Sequence, residues 1–553
     1  ALAEAVAALR RAAALSPAAG EAGRRLAAAA EIARQAGAVG DSALLVRQAR
    51  PLATDPAVLA DLALTQVALT STAAVPGHTI DDLLDLVDRL AGPHGDANGV
   101  QRLRVLATAA CGQWVYVLPD DQRERLRQAV DAADDGNGGL LALMGRVLLH
   151  PAENASQARP HLPGLSGFIQ DTYLVDETDR PSRPQIIVGV GFMTEALHDL
   201  STALDTWSMG VDHFHRASAA GDESWMLRER GLVRVCSGQL QEGLADAELG
   251  LRISTDLGLR IGAADAATTT ARAYAWLGDD TRALAAVSQS RELLGSDDVV
   301  VIKARASWAA GLVALGGHRY EDAWIALNAV QAHPTTGLWA IADLTEAAVR
   351  TGRAEQVAPL LARASAQAAA FRSPYLDNLV RRGLAQVASG ADAAEHFEAA
   401  LATADENPSP LELARTRLAY GEWLRRQRRI IDARGHLGAA LRVFDAAGAG
   451  PWAERATTEL RAAGIATVRP PATPGATKTT PAHRRAPGPA AVLTAQELQI
   501  ARLAAAGLTN REIADRIYLS PRTIATHLYK AFPKLGISNR TQLRAALEPD
   551  ASV

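Results

Sequence analysis

The sequence is poor in cysteine, and this shortage excludes two kinds of site. Only Cys111 and Cys236 occur among its 553 residues. Two cysteines so far apart form neither a disulfide framework nor a CxxC metal motif. We therefore expect a protein of the reducing cytoplasm.

The sequence also lacks the motifs of common enzyme classes. None of its four lysines follows a glycine: Lys303, Lys478, Lys530 and Lys534. A Walker A loop, GxxxxGK[ST], is therefore absent, and so is the GxSxG elbow of serine hydrolases. His213 and His215 lie two residues apart, on different faces of a helix, and no cysteine nearby completes a zinc site. We expect no enzyme activity, no metal and no cofactor in this chain.

Long apolar runs are missing as well. The sequence has no stretch of about 18 apolar residues and no signal peptide, so we expect no membrane segment. It opens on Ala1, inside a helical pattern and without an initiator methionine. We expect the C-terminal portion of a longer protein, in which any ATP site would belong to an upstream module.

Aromatic residues are scarce, at 4% of the sequence. The tryptophans of the middle region therefore stand out: Trp207, Trp225, Trp276, Trp308, Trp324 and Trp339. An indole between paired helices buries a large apolar area. Alternatively, some of these rings line a concave surface and stack on a ligand. Composition leaves both interpretations open.

Charge is distributed unevenly along the chain. Residues 466–553 contain 12 Lys and Arg against 5 Asp and Glu, a net charge of +7, whereas the whole sequence carries −4. The preceding residues therefore carry −11. A basic end on an acidic body suits contact of that end with phosphate groups, which weakens with salt because bound counterions are released.

A repeat emerges between residues 195 and 464. Glycines recur at separations of 40, 39, 35 and 38 residues, where turns between paired helices are expected: Gly238, Gly278, Gly317, Gly352 and Gly390. Five to seven residues later, a small or apolar residue opens the next helix: Leu244, Ala283, Ala323, Val357 and Phe397. The period is close to that of tetratricopeptide repeats, somewhat lengthened, and such stacked pairs form an α-solenoid. The sequence predicts an all-α fold.

The N-terminal region and the linker differ in composition from the repeats. Residues 1–194 are predicted to be helical and to begin the array. Near 150–190, five prolines and a short β-like run at 186–190 predict a helix-poor connector, or irregular turns within the array. Residues 465–490 contain six prolines and no acidic residue. That composition is typical of an extended tether, which would reach on the order of 80 Å.

The C-terminal segment contains strong helix-start signals. Two capping boxes open two helices: Thr494 with Glu497, and Thr509 with Glu512. Gly507 ends the first helix. Ser520 as N-cap and Pro521 at the first position predict a third helix from Pro521 onwards. Pro533 lies inside this helix, so we expect a kink near Tyr529.

The third helix has two different faces. Its apolar residues recur at helical spacing and are expected to point inward: Ile524, Leu528, Ala531, Phe532 and Leu535. The opposite face carries Arg522, Ala525, Thr526, Tyr529 and Lys530. This outward face is the candidate reader of DNA.

These motifs carry a resemblance to a known family. The stretches LTAQE, GLTNREIA, LSPRTIATHL and KLGI resemble the LuxR-type, or GerE-like, helix-turn-helix family over residues 491–549. In that family the third helix enters the major groove, and a final helix, here residues 540–547, pairs two copies. The resemblance implies base or groove contacts from Ala525, Thr526 and Tyr529, and phosphate contacts from Ser520, Arg522, Thr523, Lys530 and Arg540.

The repeats and this domain together resemble the C-terminal portion of the large ATP-binding LuxR regulators, also called MalT-like regulators. The resemblance implies a transcription regulator, an activator, whose helical body senses a small-molecule or protein effector and self-associates. Its partners would be double-stranded promoter DNA and RNA polymerase. The alternative is a repeat scaffold that a protein partner regulates. DNA binding that responds to no metabolite but changes with a protein partner would favour this alternative.

Overall fold

The computed structural model describes residues 2–91, 99–134, 136, 139–173, 183–465, 493, 495–516 and 520–547. Within these ranges the regular structure is helical and contains no strand, which confirms the predicted all-α fold. None of the described helices is both long and apolar enough to span a lipid bilayer. The predicted tether, residues 465–490, lies outside the described residues except for Ile465.

The N-terminal region consists of ten described helices. These are α1 Leu2–Ala14, α2 Ala19–Gln35, α3 Val39–Ala49, α4 Pro56–Ala73, α5 Ile80–Ala91, α6 Gly99–Tyr116, α7 Asp120–Ala133, α8 Gly139–Leu149, α9 Pro151–Ala158 and α10 Leu165–Tyr173.

The repeat body follows as paired helices. These are α11 Arg183–Ala196, α12 Leu200–Arg216, α13 Ala220–Cys236, α14 Leu240–Asp256, α15 Arg260–Leu277, α16 Asp280–Leu294, α17 Val300–Gly316, α18 Tyr320–Val330, α19 Pro334–Trp339, α20 Ile341–Arg350, α21 Ala354–Phe371, α22 Pro374–Val387, α23 Gly390–Ala402, α24 Pro410–Arg426, α25 Ile430–Ala447 and α26 Gly450–Ala462. The C-terminal helices are α27 Ala495–Ala505, α28 Asn510–Arg516, α29 Pro521–Leu535 and α30 Leu543–Leu547.

The repeat glycines lie at the turns where the sequence predicts them. Gly238 and Gly278 adopt φ of +84° and +82°, a left-handed conformation that costs glycine little. At the third turn, His318 takes this conformation instead, directly after Gly317. The residues predicted to open the following helices are all buried: Leu244, Ala283, Ala323, Val357 and Phe397. They lie at the fourth to eighth positions of these helices, which begin earlier, at Leu240, Asp280, Tyr320, Ala354 and Gly390. The glycines therefore mark the boundaries between helices, but the following helices begin several residues before the predicted positions.

The region 150–190 is not helix-poor, so that prediction is wrong. Helices α9, α10 and α11 occupy most of it, and residues 174–182 lie outside the described residues. The β-like run 186–190 is buried within α11. A short apolar run suits a buried helix as well as a buried strand, and periodicity does not separate the two. Pro151 and Pro184 lie in first turns, where helices tolerate proline.

Most tryptophans of the middle region fill the core. Five of the six are buried in one continuous apolar cluster: Trp207, Trp225, Trp276, Trp308 and Trp339. Trp324 packs against the same cluster and is partly buried. Trp308 also donates its Nε1 hydrogen to Asp343 Oδ2 at 2.8 Å, so its polar group is satisfied in the interior. The core-filling interpretation is confirmed for these rings.

A buried ion pair joins the N-terminal region to the repeat body. The Arg34 guanidinium in α2 donates to Asp222 Oδ1 and Oδ2 in α13 at 2.6 and 2.9 Å. It also donates to Glu31 at 2.7 and 2.9 Å. All three residues are buried, and 188 positions separate Arg34 from Asp222. Loss of one partner would leave an uncompensated buried charge, so this contact fixes α2 against α13.

His198 is buried in a left-handed turn between α11 and α12. Its φ is +55°, and neither ring nitrogen has a hydrogen-bond partner among the described residues. Burial lowers the pKa of His198 from 6.5 to about 3. The native protein therefore keeps the imidazole neutral at pH values where the unfolded chain protonates it.

We predict that His198 makes stability fall as pH decreases from about 6.5 to about 3, because only the unfolded state takes up this proton. Its contribution approaches about 1.4 kcal/mol per pH unit. His198→Asn, which tolerates left-handed backbone, should make the pH dependence less steep. The measurement is the thermal midpoint of the helical body between pH 7 and 4.

His318→Asn is the matched control, because His318 has a similar φ of +58° but is exposed. It should keep the wild-type slope. Identical slopes in the wild type and both variants would contradict the role assigned to His198.

Candidate nucleic-acid interface

Helices α27 to α30 pack around an apolar core of their own. Its buried members are Leu493, Ile500, Ala501, Ala504, Ile513, Ala514, Ile524, Leu528, Ala531 and Leu543. Phe532 and Leu535 pack against this core and are partly buried. The five residues predicted to form the inner face of the third helix therefore do so. With that face fixed inward, the opposite face of α29 points to solvent.

Local capping defines where α28 and α29 begin. The Thr509 backbone N–H donates to Glu512 Oε2 at 2.6 Å, and the Glu512 N–H donates to Thr509 Oγ1 at 3.3 Å, which confirms this predicted capping box. Acceptance of the backbone bond lowers the pKa of Glu512. Ser520 Oγ accepts the Thr523 N–H at 3.0 Å, and α29 begins at Pro521 as predicted.

The other predicted capping box is only partly described. Thr494 lies outside the described residues. Its expected partner Glu497 is buried and accepts a hydrogen bond from Lys534 Nζ at 2.5 Å, which ties the start of α27 to the end of α29. Helix α27 ends at Ala505, two residues before Gly507 at φ +96°, as the sequence predicts.

The outer face of α29 brings most of the predicted contact residues together. The exposed members are Ser520, Arg522, Ala525, Thr526, Tyr529 and Lys530, whereas Thr523 is half-buried. Tyr529 is 79% exposed, which is unusual for so large a ring. Helical spacing places these residues on successive turns of one face. The face therefore combines two cations, several hydroxyl groups and one aromatic ring.

Pro533 lies in the last turn of α29. The helix continues from Pro521 to Leu535 and ends at Gly536, whose φ is +68°. A proline has no N–H, so the carbonyl of Tyr529 lacks its usual intrahelical donor. The kink near Tyr529 stays a prediction.

Arg540 makes contacts within the domain. Its half-buried guanidinium donates to Asn510 Oδ1 at 2.7 Å and also to the Leu508 carbonyl oxygen. These bonds hold the short 3-10 turn Arg540–Gln542 against the start of α28. Arg540 is thus a positioning residue for α28. No local pattern signals this contact, because about 30 residues separate its partners.

Residues 491–546 match the family profile described as GerE, bacterial regulatory proteins, luxR family. The C-terminal domain is a luxR-family helix-turn-helix domain. The resemblance to the LuxR-type family, inferred from the LTAQE, GLTNREIA and LSPRTIATHL motifs, is therefore confirmed for this domain.

Several regulators resemble the same stretch. HTH-type transcriptional regulator Mb0914c of Mycobacterium bovis is 47% identical over 51 residues, which cover 9% of this chain and 6% of that protein. The CsgBAC operon transcriptional regulatory protein of Escherichia coli is 42% identical over 52 residues, 9% of this chain and 24% of the relative. The transcriptional activator DevR/DosR of Mycobacterium tuberculosis is 41% identical over 54 residues, which cover 10% of this chain and 25% of that protein.

These matches span a quarter or less of each relative, so they concern the domain alone. The yeast Tom70 crystal structure overlays on 79% of this chain and 96% of that protein, with a TM-score of 0.27 and 11% identity. At this score the overlay supports no conclusion about the helical body.

Thr509→Ala should loosen the start of α28. The variant removes the hydroxyl that accepts the Glu512 N–H, and loss of such a cap costs about 1 kcal/mol. Deuterium uptake over residues 509–516 should therefore be faster by roughly fivefold. Thr526→Ala is the control, because its Oγ1 donates to the Arg522 carbonyl within α29 and caps no helix. Equal uptake in both variants would show that the box does not stabilise α28.

Proposed function

We propose that the protein is a DNA-binding transcription regulator in which α29 enters the major groove of double-stranded DNA. This proposal rests on one observation: the outer face of α29 is exposed on a luxR-family domain. The inner face packs on the domain core, so the outer face is available to a partner. An α-helix fits the width of the major groove.

The phosphate contacts in this proposal come from residues near the start of α29 and from one later turn. Ser520 and Thr523 lie at the helix N-terminus, where backbone N–H groups and the helix dipole favour an anion. Arg522 and Lys530 add exposed positive charge in the first and third turns of α29. Such contacts position the helix and carry no direct sequence information. Arg540 contributes indirectly, because it orients α28.

The base contacts are assigned to Ala525, Thr526 and Tyr529. Thr526 Oγ1 donates its hydrogen to the Arg522 carbonyl oxygen at 3.0 Å, which leaves its lone pairs free to accept from a base amino group. Adenine N6 and cytosine N4 are the amino donors in the major groove. Ala525 suits apolar contact with a thymine methyl group, and Tyr529 offers both a ring and a hydroxyl. This small set gives few direct readout bonds.

Limited readout by one copy favours cooperation between copies. We propose that two or more copies bind together, with residues 540–547 as the pairing segment, and that the helical body controls this assembly in response to an effector. Activation through RNA polymerase follows from the resemblance to MalT-like regulators, and the low cysteine content favours a location in the cytoplasm. The chain itself has no catalytic role in this proposal.

Arg522→Ala should weaken binding to every duplex sequence to a similar extent. Loss of one phosphate contact should also lower the slope of log affinity against log salt by about 1. Fluorescence titrations of the full chain at several salt concentrations give both quantities. Arg24→Ala is the charge-matched control, since Arg24 is an exposed residue of α2 that pairs with Asp55. An unchanged slope for Arg522→Ala would remove this phosphate contact.

Thr526→Ala and Tyr529→Ala should change sequence preference more than overall affinity. Each lost base contact should relax the preference at one position by about 1–3 kcal/mol. Selection from a randomised duplex library, carried out in parallel for the wild type and each variant, measures these preferences. Identical selected sequences for all three proteins would remove the outer face of α29 as the reader.

A further inference from the structure

A cavity of about 250 Å³ lies where the N-terminal region meets the repeat body. Helices α4, α5 and α6 bound one side, and α11 and α13 bound the other. On a comparable measure, a single water molecule needs roughly 10–15 Å³. The space is therefore large enough for a small organic molecule.

The cavity walls are mainly apolar. They include Val67 and Ala68 of α4, Leu83 of α5, Val115 of α6 and Phe192 of α11. The hydroxyl groups of Thr70 and Ser71 are engaged by the backbone of their own region, and that of Thr79 donates to Asp82 Oδ2 at 2.8 Å. Thr70 Oγ1 donates to Gln66 O or Val75 O, at 3.0 and 2.8 Å, and Ser71 Oγ donates to Val67 O at 3.0 Å. These contacts leave an apolar lining.

The ionisable side chains of the lining are either paired with an opposite charge or neutral, as Arg34, Cys111 and His78 show. The Arg34 guanidinium is already bound by Glu31 and Asp222. Burial raises the pKa of the Cys111 thiol to about 12, so it stays protonated. Burial also lowers the pKa of His78, which favours the neutral imidazole at pH 7. A charged ligand would therefore lose hydration without gaining a counter-charge.

Two polar side chains of the lining have unused hydrogen-bonding groups. Gln185 of α11 lines the cavity, and both atoms of its amide are buried without a partner among the described residues. Trp225 of α13 is more than nine-tenths buried, and its Nε1 likewise has no acceptor within the described structure. Each unpaired buried group costs about 1–3 kcal/mol. A molecule that reached these groups would offset that cost.

We propose that this cavity binds a neutral, mainly apolar organic molecule with a hydrogen-bonding group that pairs with Gln185 or Trp225. Such a ligand would touch both the N-terminal helices and the repeat body. The cavity would then be the effector site, and this regulatory meaning rests on the proposed function. Trp225 is thus the middle-region tryptophan for which ligand contact is proposed beside its role in the core.

The test is a fluorescence titration of the full chain with N-phenyl-1-naphthylamine, a neutral dye with one N–H group. We expect saturable binding of one dye per chain. The matched charged dye, 8-anilinonaphthalene-1-sulfonate, should bind at least about tenfold more weakly, because its sulfonate finds no free cation in the lining. Equal affinity for the two dyes, or no binding of the neutral dye, would overturn the proposal.

Two filling variants locate the dye. A Cβ added at Gly112 of α6 would meet only Leu118 and Ile80 side chains, at 3.8 Å or more, so Gly112→Leu can extend into the cavity. Ala68→Met fills it from the α4 wall. Each should weaken binding of the neutral dye at least about tenfold. Gly435→Leu is the matched control at an exposed position of α25, where an added Cβ meets nothing within 4 Å, and it should bind normally.

Gln185→Leu separates a ligand role from a structural one. It should weaken binding of the neutral dye several-fold, yet raise the thermal midpoint of the free protein, because a buried unpaired amide is removed. Wild-type binding by any folded filling variant would overturn the proposal. All titrations are made without DNA. Dye binding by a protein that binds no DNA would refute only the proposed function, whereas DNA binding without dye binding would refute only the cavity site.

Discussion

Each helix pair of the body has an apolar face that only its neighbours cover, and the rest of the structure depends on this stacking. The resulting core is continuous from Ala60 to Leu460. Most polar groups inside such a core find partners there. Long arginines supply many of them: Arg305 pairs with Asp265 and Glu229, and Arg415 pairs with Asp343 and Glu346. These pairs link helices that lie one or two repeats apart: 40 residues separate Arg305 from Asp265, and 72 separate Arg415 from Asp343.

The DNA-binding domain packs around an apolar core of its own, which is separate from the core of the body. Arg502 of α27 forms an ion pair with Glu242 of α14, but both side chains are partly exposed. Exposed pairs of this kind contribute at most about 1 kcal/mol. Loss of this contact would therefore cost little. The body and α29 pack around separate apolar cores, which is compatible with the proposed control of binding through the assembly of copies.

Local signals predicted the features that depend on neighbouring residues. The Thr509–Glu512 box, the Ser520 cap and the two faces of α29 follow from spacing within about one turn, and the repeat glycines follow from the turns that need them. The β-like interpretation of residues 186–190 was wrong because a buried strand and a buried helix have the same apolar composition. Contacts between distant residues left no local trace, as for Arg34 with Asp222.

The same reason explains why the cavity was not predicted. Gln185 and Trp225 belong to different helices, and the other wall comes from α4 to α6, more than 60 residues earlier in the chain. From the sequence, Trp225 was only one of the six tryptophans of the middle region, and nothing marked it as a lining residue. Similarly, Arg540 matched a family position for phosphate contact, and only the fold shows its guanidinium on Asn510 and Leu508.

Photocrosslinking would show which helix of the protein touches DNA. A benzophenone side chain would replace Tyr529 on α29 in one protein and Ile431 on α25 in another, two positions that are 79% and 83% exposed. Irradiation with duplex DNA should give a covalent DNA adduct from position 529 and none from position 431. An adduct from 431, or none from 529 under conditions where the protein binds DNA, would contradict the assignment of α29 as the reader.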